Sequence, residues 1–267
     1  MLNKKSLMGT LCGVAACCVL TLSGCGSDPD SAPAGMKLVE EGTLTVATSA
    51  DYEPFEYVED GEYKGFDLDL ARALAEKLDL KIKIENVDFD AVTAGVASGV
   101  KYDCGVAALS ESPKRAKEVG FTDPYYMDDQ SIVVKGDDAS VTKENALDVL
   151  NGADVKIAAQ SGSTSESFAK ENCPDAKVVA YKNAVDMFAA LQSGQVNALV
   201  VNRSVAAQMI SGSFSNLKVV KEVSTGEEYS VIYDLENPEL GDKLNDALAE
   251  LVKDGTVDEL MDKYSIK

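Results

Sequence analysis

From Leu44 onwards, the sequence alternates short β-like runs with helical patterns. The candidate strands occupy residues 43–48, 81–86, 103–107, 131–135, 155–159, 176–180, 197–201, 217–221 and 229–233. The helical patterns occupy residues 67–78, 144–150, 164–171, 183–192, 239–252 and 256–263. This alternation predicts an α/β architecture with largely parallel sheets.

A short internal repeat predicts that the α/β chain forms two similar lobes. Residues 91–103 and 184–197 each run from an Ala-Val pair through an apolar helix to a Ser-Gly pair, and then into a strand. Gly99 and Gly194 are expected to cap the two helices. A chain of 267 residues is long enough for two domains of ordinary size.

The composition excludes several classes of function. The chain carries 45 Asp and Glu against 25 Lys and Arg, a net charge of −20, and so acidic a surface repels nucleic-acid phosphates. It contains no His, which excludes Ser-His-Asp and Cys-His catalysis and every His metal site. We expect neither a metal nor a cofactor.

The N-terminus resembles a bacterial lipoprotein export signal. Residues 3–5 include two Lys, residues 7–22 are apolar, and Leu-Ser-Gly-Cys at 22–25 resembles a lipobox, in which the Cys is acylated. We expect residues 1–25 to be the signal peptide, Cys25 to carry the lipid, and residues 26–36 to be a flexible tether. The protein would then lie outside the cytoplasmic membrane, on a Gram-positive surface or in a periplasm.

The cysteines do not form a disulfide framework. Four of the six lie within the first 25 residues, and only Cys104 and Cys173 remain in the body of the chain. We expect these two to be small buried hydrophobic residues and not partners in a disulfide.

Residues 65–78 form an amphipathic helical pattern with an apolar residue every four positions. Asp67 is expected to be the N-cap, and Asp69 suits the positive end of the helix dipole. The two acids are therefore interpreted as a helix start and not as a metal pair.

Arg115 lies where local preference disfavours a cation. Ser112 and Pro113 are expected to open a helix, which places Arg115 in its first turn, against the dipole. A guanidinium beside free backbone N–H groups can bind a carboxylate. The alternative is a surface Arg paired with Glu118.

A similar arrangement follows the candidate strand at 155–159. Ser163 and Glu166 fit a capping box, which makes Glu166 structural. The N–H groups of Ser163 and Thr164 would then face an anion, so that two helix N-termini could close on one carboxylate.

The order of these patterns resembles family 3 of the bacterial solute-binding proteins, the amino-acid receptors of ABC importers. The matching segments are residues 45–57, 65–78, 87–89, 110–116, 121–126 and 247–264. The resemblance implies a two-lobed periplasmic-binding fold of type II. Lobe 1 would comprise residues 37–127 and 228–267, and lobe 2 residues 128–227, with hinge crossings near 125–130 and 224–230.

The resemblance also implies how a ligand is held. Arg115 would bind the α-carboxylate, and the ammonium would meet the Ala108 carbonyl, the Ser110 hydroxyl and residue 202. Family members generally carry Asp where this chain has Asn202, which supplies no charge. Binding could be weaker, the ligand could lack a simple ammonium, or another acid such as Glu111 or Asp51 could compensate.

Selectivity for the ligand's side chain would lie with five residues: Ser49, Tyr52, Phe89, Gln160 and Val201. Tyr52 and Phe89 would enclose that side chain between their rings. Receptors for basic amino acids commonly have Asp where Ser49 stands, which favours a neutral or polar ligand.

The sequence thus predicts a monomeric, lipid-anchored binding component of an amino-acid importer. Its partners would be an amino acid, as a small-molecule ligand, and a membrane permease, and it would perform no chemistry. One alternative is a dehydratase on the same scaffold, with Glu53, Asp51 or Glu111 as general acid or base. Others are a receptor for a carboxylate without a free amine, and a sensory domain.

Overall fold

A computed structural model describes residues 36–266 and places them in two lobes, each built on a five-stranded sheet. The strands are β1 (Thr43–Thr48), β2 (Asp51–Tyr52), β3 (Glu56–Glu59), β4 (Glu62–Lys64), β5 (Lys81–Asn86), β6 (Cys104–Gly105), β7 (Val119–Phe121), β8 (Tyr126–Lys135), β9 (Lys156–Gln160), β10 (Lys177–Tyr181), β11 (Ala198–Asn202), β12 (Leu217–Tyr229) and β13 (Ile232–Asp234). The predicted signal, lipid site and most of the tether lie outside the described residues.

Eight α-helices and one 3₁₀ turn are described within residues 36–266. They are α1 (Phe66–Lys77), α2 (Phe89–Ala97), the 3₁₀ turn Arg115–Lys117, α3 (Ala146–Leu150), α4 (Thr164–Asn172), α5 (Ala184–Ser193), α6 (Arg203–Ser211), α7 (Pro238–Lys253) and α8 (Thr256–Lys263). None of these helices is long and apolar enough to cross a bilayer.

The two sheets repeat one arrangement, as the internal repeat predicts. The first has the order β5-β1-β6-β13-β7 and the second β10-β9-β11-β8-β12. In each, four strands run in the same direction, and the fourth strand in the order, β13 or β8, is antiparallel to them. The sheets are largely parallel, as expected, and β8 and β13 are the exceptions because each enters directly from the other lobe without a helical crossover.

The two direct connections are anchored by aromatic packing. Phe55 of lobe 1 lies 5.1 Å from the ring of Tyr126 and 5.2 Å from that of Tyr229, both edge-on. Tyr126 begins β8 and Tyr229 ends β12, and these residues pair in register. Edge-on aromatic pairs contribute about 0.5–1.5 kcal/mol beyond burial, so the strands that join the lobes are fixed at the first lobe.

Strand β12 extends well beyond the candidate strand at 217–221, while the candidate at 229–233 spans the last residue of β12 and the start of β13. Strand β12 is continuous over thirteen residues and pairs with β8, with register shifts between Val219 and Lys221 and between Val223 and Glu227. Such irregularities bend a strand and change which way its side chains point. They also interrupt the alternating pattern by which sequence identifies a strand.

Asp67 is not the N-cap of α1, which begins one residue earlier, after Gly65. The Asp67 side chain is fully buried and accepts hydrogen bonds from the Ala108 N–H (2.7 Å) and the Tyr125 hydroxyl (2.8 Å). The carboxylate therefore supports the backbone at Ala108 from beneath, instead of closing the end of its own helix.

Two local predictions are confirmed. Cys104 and Cys173 are both free and buried. Gly194 caps α5 in the left-handed conformation, with φ of 79°. At the end of α2 the cap is Ser98, and Gly99 follows it with φ of 62°.

Candidate functional site

The carboxyl ends of the parallel strands of both sheets lead into one cleft between the lobes. Ser49 follows β1, Gln160 ends β9, and Asn202 ends β11 and precedes α6. Ligands of open α/β sheets bind at such strand ends. All three side chains are almost fully buried.

Arg115 spans this cleft. Its Nη1 donates to the Ser110 carbonyl at 2.7 Å, and its Nη2 donates to the Gly162 carbonyl of lobe 2 at 3.0 Å. The Ser112 hydroxyl accepts from the Arg115 N–H at 3.2 Å. The expected helix is only a 3₁₀ turn that starts at Arg115 itself, so the support of Arg115 comes from carbonyls and not from a long helix.

The guanidinium of Arg115 is buried but remains a cation. Its carbon lies 5.3 Å from the centre of the Phe89 ring, a stacking distance. Burial lowers the pKa of Arg115 to about 10, while the charge of Glu227 opposes this shift. Arg115 is therefore protonated at neutral pH, and Phe89 packs against it from the start of α2.

Ser163 is the N-cap of α4, as expected. Its hydroxyl accepts from the Glu166 N–H at 3.0 Å, and the Glu166 carboxylate accepts from the Gly162 N–H at 2.8 Å. The Ser163 N–H is not free to face an anion, because it donates to the Gln160 carbonyl at 3.2 Å. Thr164, the first residue of α4, directs its hydroxyl into the cleft and donates to Glu227 at 2.8 Å.

Tyr52 and Asn202 meet across the cleft. The Tyr52 hydroxyl donates to Oδ1 of Asn202 at 2.7 Å and accepts from the Asn202 N–H at 3.4 Å. Burial raises the pKa of Tyr52 well above its ordinary value, so the hydroxyl keeps its proton.

Asp51 links the two lobes beside Ser49. It accepts from the Ala184 N–H at 3.1 Å, from Nε2 of Gln160 at 3.4 Å and from the Ser49 hydroxyl at 3.5 Å. Burial raises the pKa of Asp51 to about 6, and these hydrogen bonds oppose the shift. This carboxylate already has three donors, and Glu111, the other acid suggested by the sequence, is exposed.

Ala108 and Val201 occupy different environments. Ala108 has φ of 45° and its N–H is held by Asp67. This unusual backbone conformation for a residue other than Gly is typical of functional sites. Val201 is 1% exposed and lies in the main apolar core of the protein.

Two residues of the cleft were missed by sequence reasoning. The Glu227 carboxylate accepts from the Ser110 hydroxyl (2.9 Å), from Nδ2 of Asn202 (3.2 Å) and from Nε2 of Gln130 (2.5 Å). Gln130 is fully buried on β8, and Glu227 follows the irregular part of β12. Both lie near the predicted crossings, but no local pattern indicates that their side chains turn inward.

The cleft therefore brings together nine of the ten predicted ligand-binding residues in one connected network, and Ala108 lies directly beneath it. The part next to Arg115 has a volume of about 770 Å³ and is lined by residues of both lobes, including Phe89, Ser163, Thr164 and Glu227. A cation, hydroxyls and amides converging on one space are suited to hold a small polar ligand.

Known proteins resemble this chain in sequence over most of its length. The model of bacterial extracellular solute-binding proteins, family 3, matches residues 44–267. The arginine-binding extracellular protein ArtP of Bacillus subtilis (strain 168) is 31% identical over 255 residues, which cover 94% of this chain and 95% of that protein.

Two solved structures are similar over most of the chain. An ancestral arginine-binding protein bound to arginine is 37% identical with a TM-score of 0.78, covering 84% of this chain and 98% of that one. The ancestral amino acid-binding protein AncCDT-1, a precursor of cyclohexadienyl dehydratase, is 38% identical with a TM-score of 0.77, covering 84% and 95%. The chain belongs to the bacterial extracellular solute-binding proteins of family 3.

Proposed function

We propose that this protein is the extracytoplasmic substrate-binding component of an amino-acid ABC importer. The observation that carries the proposal is the buried, charged Arg115, which reaches from lobe 1 to the Gly162 carbonyl of lobe 2. The relatives described above are named as amino-acid-binding proteins, which supports the same class of ligand.

In this proposal, the ligand's α-carboxylate binds to Arg115 and Thr164. A guanidinium carries five N–H donors, and two hydrogen bonds to carbonyls leave further donors for a carboxylate. The backbone N–H of Thr164 adds a donor from lobe 2 at the start of α4, where the helix dipole favours an anion. One carboxylate would thus hold the two lobes together.

The ligand's side chain would be enclosed by Tyr52 and Phe89 and would meet Ser49 and Gln160. We keep the expectation of a neutral or polar side chain, because position 49 carries no acid. Arginine is the first rival, since relatives are named for arginine and Asp51 lies next to Ser49. Titration with both kinds of amino acid decides between them.

Capture would proceed by closure of two lobes, residues 37–127 with 228–267 against residues 128–227. The contacts of Asp51, Tyr52 and Arg115 with lobe 2 belong to the closed arrangement. Residues near 125–130 and 224–230 would bend, and closure would exclude water and strengthen the hydrogen bonds to the ligand.

Delivery would require a membrane permease, and the lipid at Cys25 would keep the monomeric protein near it. Labelling of growing cells with a radioactive fatty acid tests the anchor. The protein should carry the label, and the Cys25→Ala variant should not. An unlabelled wild-type protein would refute the anchor without affecting ligand binding.

Binding is tested by thermal denaturation of the purified protein against the twenty amino acids, cystine and related carboxylates. A ligand that binds only the folded state raises the midpoint in proportion to its excess over Kd. We expect a clear rise with a small set of amino acids that the Arg115→Ala variant loses. Arg72→Ala is the matched control, because Arg72 pairs with Asp69 on α1. No rise with any amino acid would refute the proposal.

A dehydratase is the second candidate, because one similar structure is a precursor of such an enzyme. Of the three acids that could act in catalysis, Glu53 accepts from Gln208 at 2.8 Å, Glu111 is exposed, and Asp51 is held by Ala184, Gln160 and Ser49. None of them shows the partner that a general acid or base needs. We propose binding without chemistry, and product formation from a cyclohexadienyl substrate would contradict it.

A further inference from the structure

The carboxylate of Glu227 lies among the polar side chains of the cleft, where the lobes meet. Its Oε2 accepts from the hydroxyls of Ser110 (2.9 Å) and Thr164 (2.8 Å) and from Nδ2 of Asn202 (3.2 Å). Its Oε1 accepts from Nε2 of Gln130 at 2.5 Å. Donors from both lobes thus orient one acidic group into the space beside Arg115.

These four partners of Glu227 are all neutral. Within residues 36–266, no ion pair joins Glu227 to a Lys or Arg. The hydrogen bonds of the nearby Arg115 guanidinium go to the carbonyls of Ser110 and Gly162. Neutral donors orient a carboxylate without cancelling its charge, and the Arg115 cation acts on it through space without an ion pair, so Glu227 can attract a second cation that enters the cleft.

Glu227 supplies a negative charge close to Asn202, a residue that has none of its own. An ammonium next to Ser110 and Asn202 finds no charge on either residue, but Glu227 contacts both. We propose that Glu227 is the counter-ion of the ligand's α-ammonium and supplies the charge missing at position 202. This inference rests on the proposed function, and it deepens it: Arg115 and Glu227 together match the zwitterion of an α-amino acid.

The arrangement also selects a class of ligand. If the lobes closed on a carboxylate without an amine, the ligand's negative charge would lie beside Glu227 with no ammonium between them. Two negative charges in one closed cleft repel each other, and the half-buried Glu227 would have no cation of the ligand to pair with. The site should therefore reject acids that lack the α-amine and accept the corresponding amino acids.

Calorimetric titration tests this with pairs of ligands that differ only in the α-amine. The probes are L-glutamine with glutaramic acid, and L-arginine with 5-guanidinopentanoic acid. We expect wild-type protein to bind the preferred amino acid roughly 100-fold more tightly than its partner acid. The Glu227→Gln variant should bind the amino acid about 10- to 100-fold more weakly, and the partner acid as well as before or better.

Two further variants control the interpretation. Glu228→Gln removes the same charge from the next residue, which is exposed, and should change neither affinity. Asn202→Asp combined with Glu227→Gln returns an acid to the site and should recover most of the lost affinity. Thermal midpoints without ligand check that each variant folds.

The outcomes separate the inference from the proposed function. If Glu227→Gln binds the amino acid equally well or more tightly, or weakens both members of a pair alike, Glu227 is not the counter-ion although the protein still binds amino acids. If the wild-type protein binds the partner acids preferentially, the counter-ion role is also overturned. If the wild-type protein binds no amino acid at all, the proposed function fails and the inference fails with it.

Discussion

The Tyr52 hydroxyl donates to Oδ1 of Asn202 across the cleft, and this bond fixes the orientation of the Asn202 amide. Because Oδ1 accepts from Tyr52, Nδ2 is the group that donates to Glu227 at 3.2 Å. Tyr52 of lobe 1 thereby orients Asn202 of lobe 2, and Asn202 in turn helps to orient the carboxylate of Glu227.

Removal of this hydroxyl should weaken ligand binding without unfolding the protein. The Tyr52→Phe variant loses one buried hydrogen bond of the closed arrangement, worth about 1 kcal/mol, or roughly fivefold in affinity. Calorimetric titration measures this loss. Tyr63→Phe, a change of the same kind on β4, should leave the affinity unchanged, and equal losses in both variants would contradict the role given to Tyr52.

The free energy of unfolding should be greater near pH 5 than near pH 7.5. Burial raises the pKa of Asp67 and of Asp51 to about 6, and burial followed by the negative charge of Asp67 raises the pKa of Glu56 well above its ordinary value. The native state therefore binds protons more tightly than the unfolded chain, whose Asp residues titrate near pH 3.9, and stability falls as pH rises through about 4 to 6.

Denaturant melts between pH 4.5 and 8 check this direction. The Asp67→Asn variant should show a smaller dependence on pH, because it removes one of the acids concerned. A free energy of unfolding that is constant, or that increases towards pH 8, would show that these carboxyls do not titrate as their burial requires.

Gly65 should not tolerate a side chain. Its φ is 124°, and a Cβ there would lie 2.1 Å from the Phe55 carbonyl oxygen, which is far inside contact distance. We expect Gly65→Ala to cost more than about 2 kcal/mol of unfolding free energy. Gly61→Ala is the matched control, since Gly61 also has positive φ but no atom within 4 Å, and its cost should stay near 1 kcal/mol, as is usual for the left-handed conformation alone.

The two cysteines of the described residues should be unreactive until the protein unfolds. Cys104 and Cys173 are free, and burial raises the pKa of both thiols. A thiol reagent should titrate them in denaturant and neither of them in the native protein. Rapid reaction of a native thiol, or a missing thiol after unfolding, would contradict their burial as free cysteines.

Local patterns were sufficient for much of the fold. The bounds predicted for β1, β5 and α8 agree with the structure to the residue, because apolar alternation and amphipathic periodicity are properties of the segments themselves. The resemblance to family 3 is confirmed over residues 44–267. By contrast, α6 and the small sheet formed by β2, β3 and β4 were not predicted, since α6 follows β11 with no intervening turn and the three strands are only two to four residues long.

Several contacts of the candidate site join residues that are far apart in the sequence, and local patterns could not predict them. Arg115 was singled out because a cation was not expected at the start of a helix, although the segment forms only a 3₁₀ turn. Asp67 was assigned to its helix terminus, but its partners Ala108 and Tyr125 lie 41 and 58 residues away. The inward direction of Glu227 depends on the register of β12 against β8, which no segment contains by itself.

The most direct test of the account is calorimetric titration of the preferred amino acid and its α-carboxamide against wild-type protein and the Arg115→Ala variant. We expect a micromolar Kd for the wild type, equivalent to about −8 kcal/mol. Loss of either the guanidinium or the ligand's carboxylate should weaken binding by roughly 100-fold or more. The central claim is wrong if the variant binds the amino acid as tightly as the wild type does, or if the wild type binds the carboxamide as tightly as the amino acid. In either case, Arg115 does not hold the ligand's carboxylate.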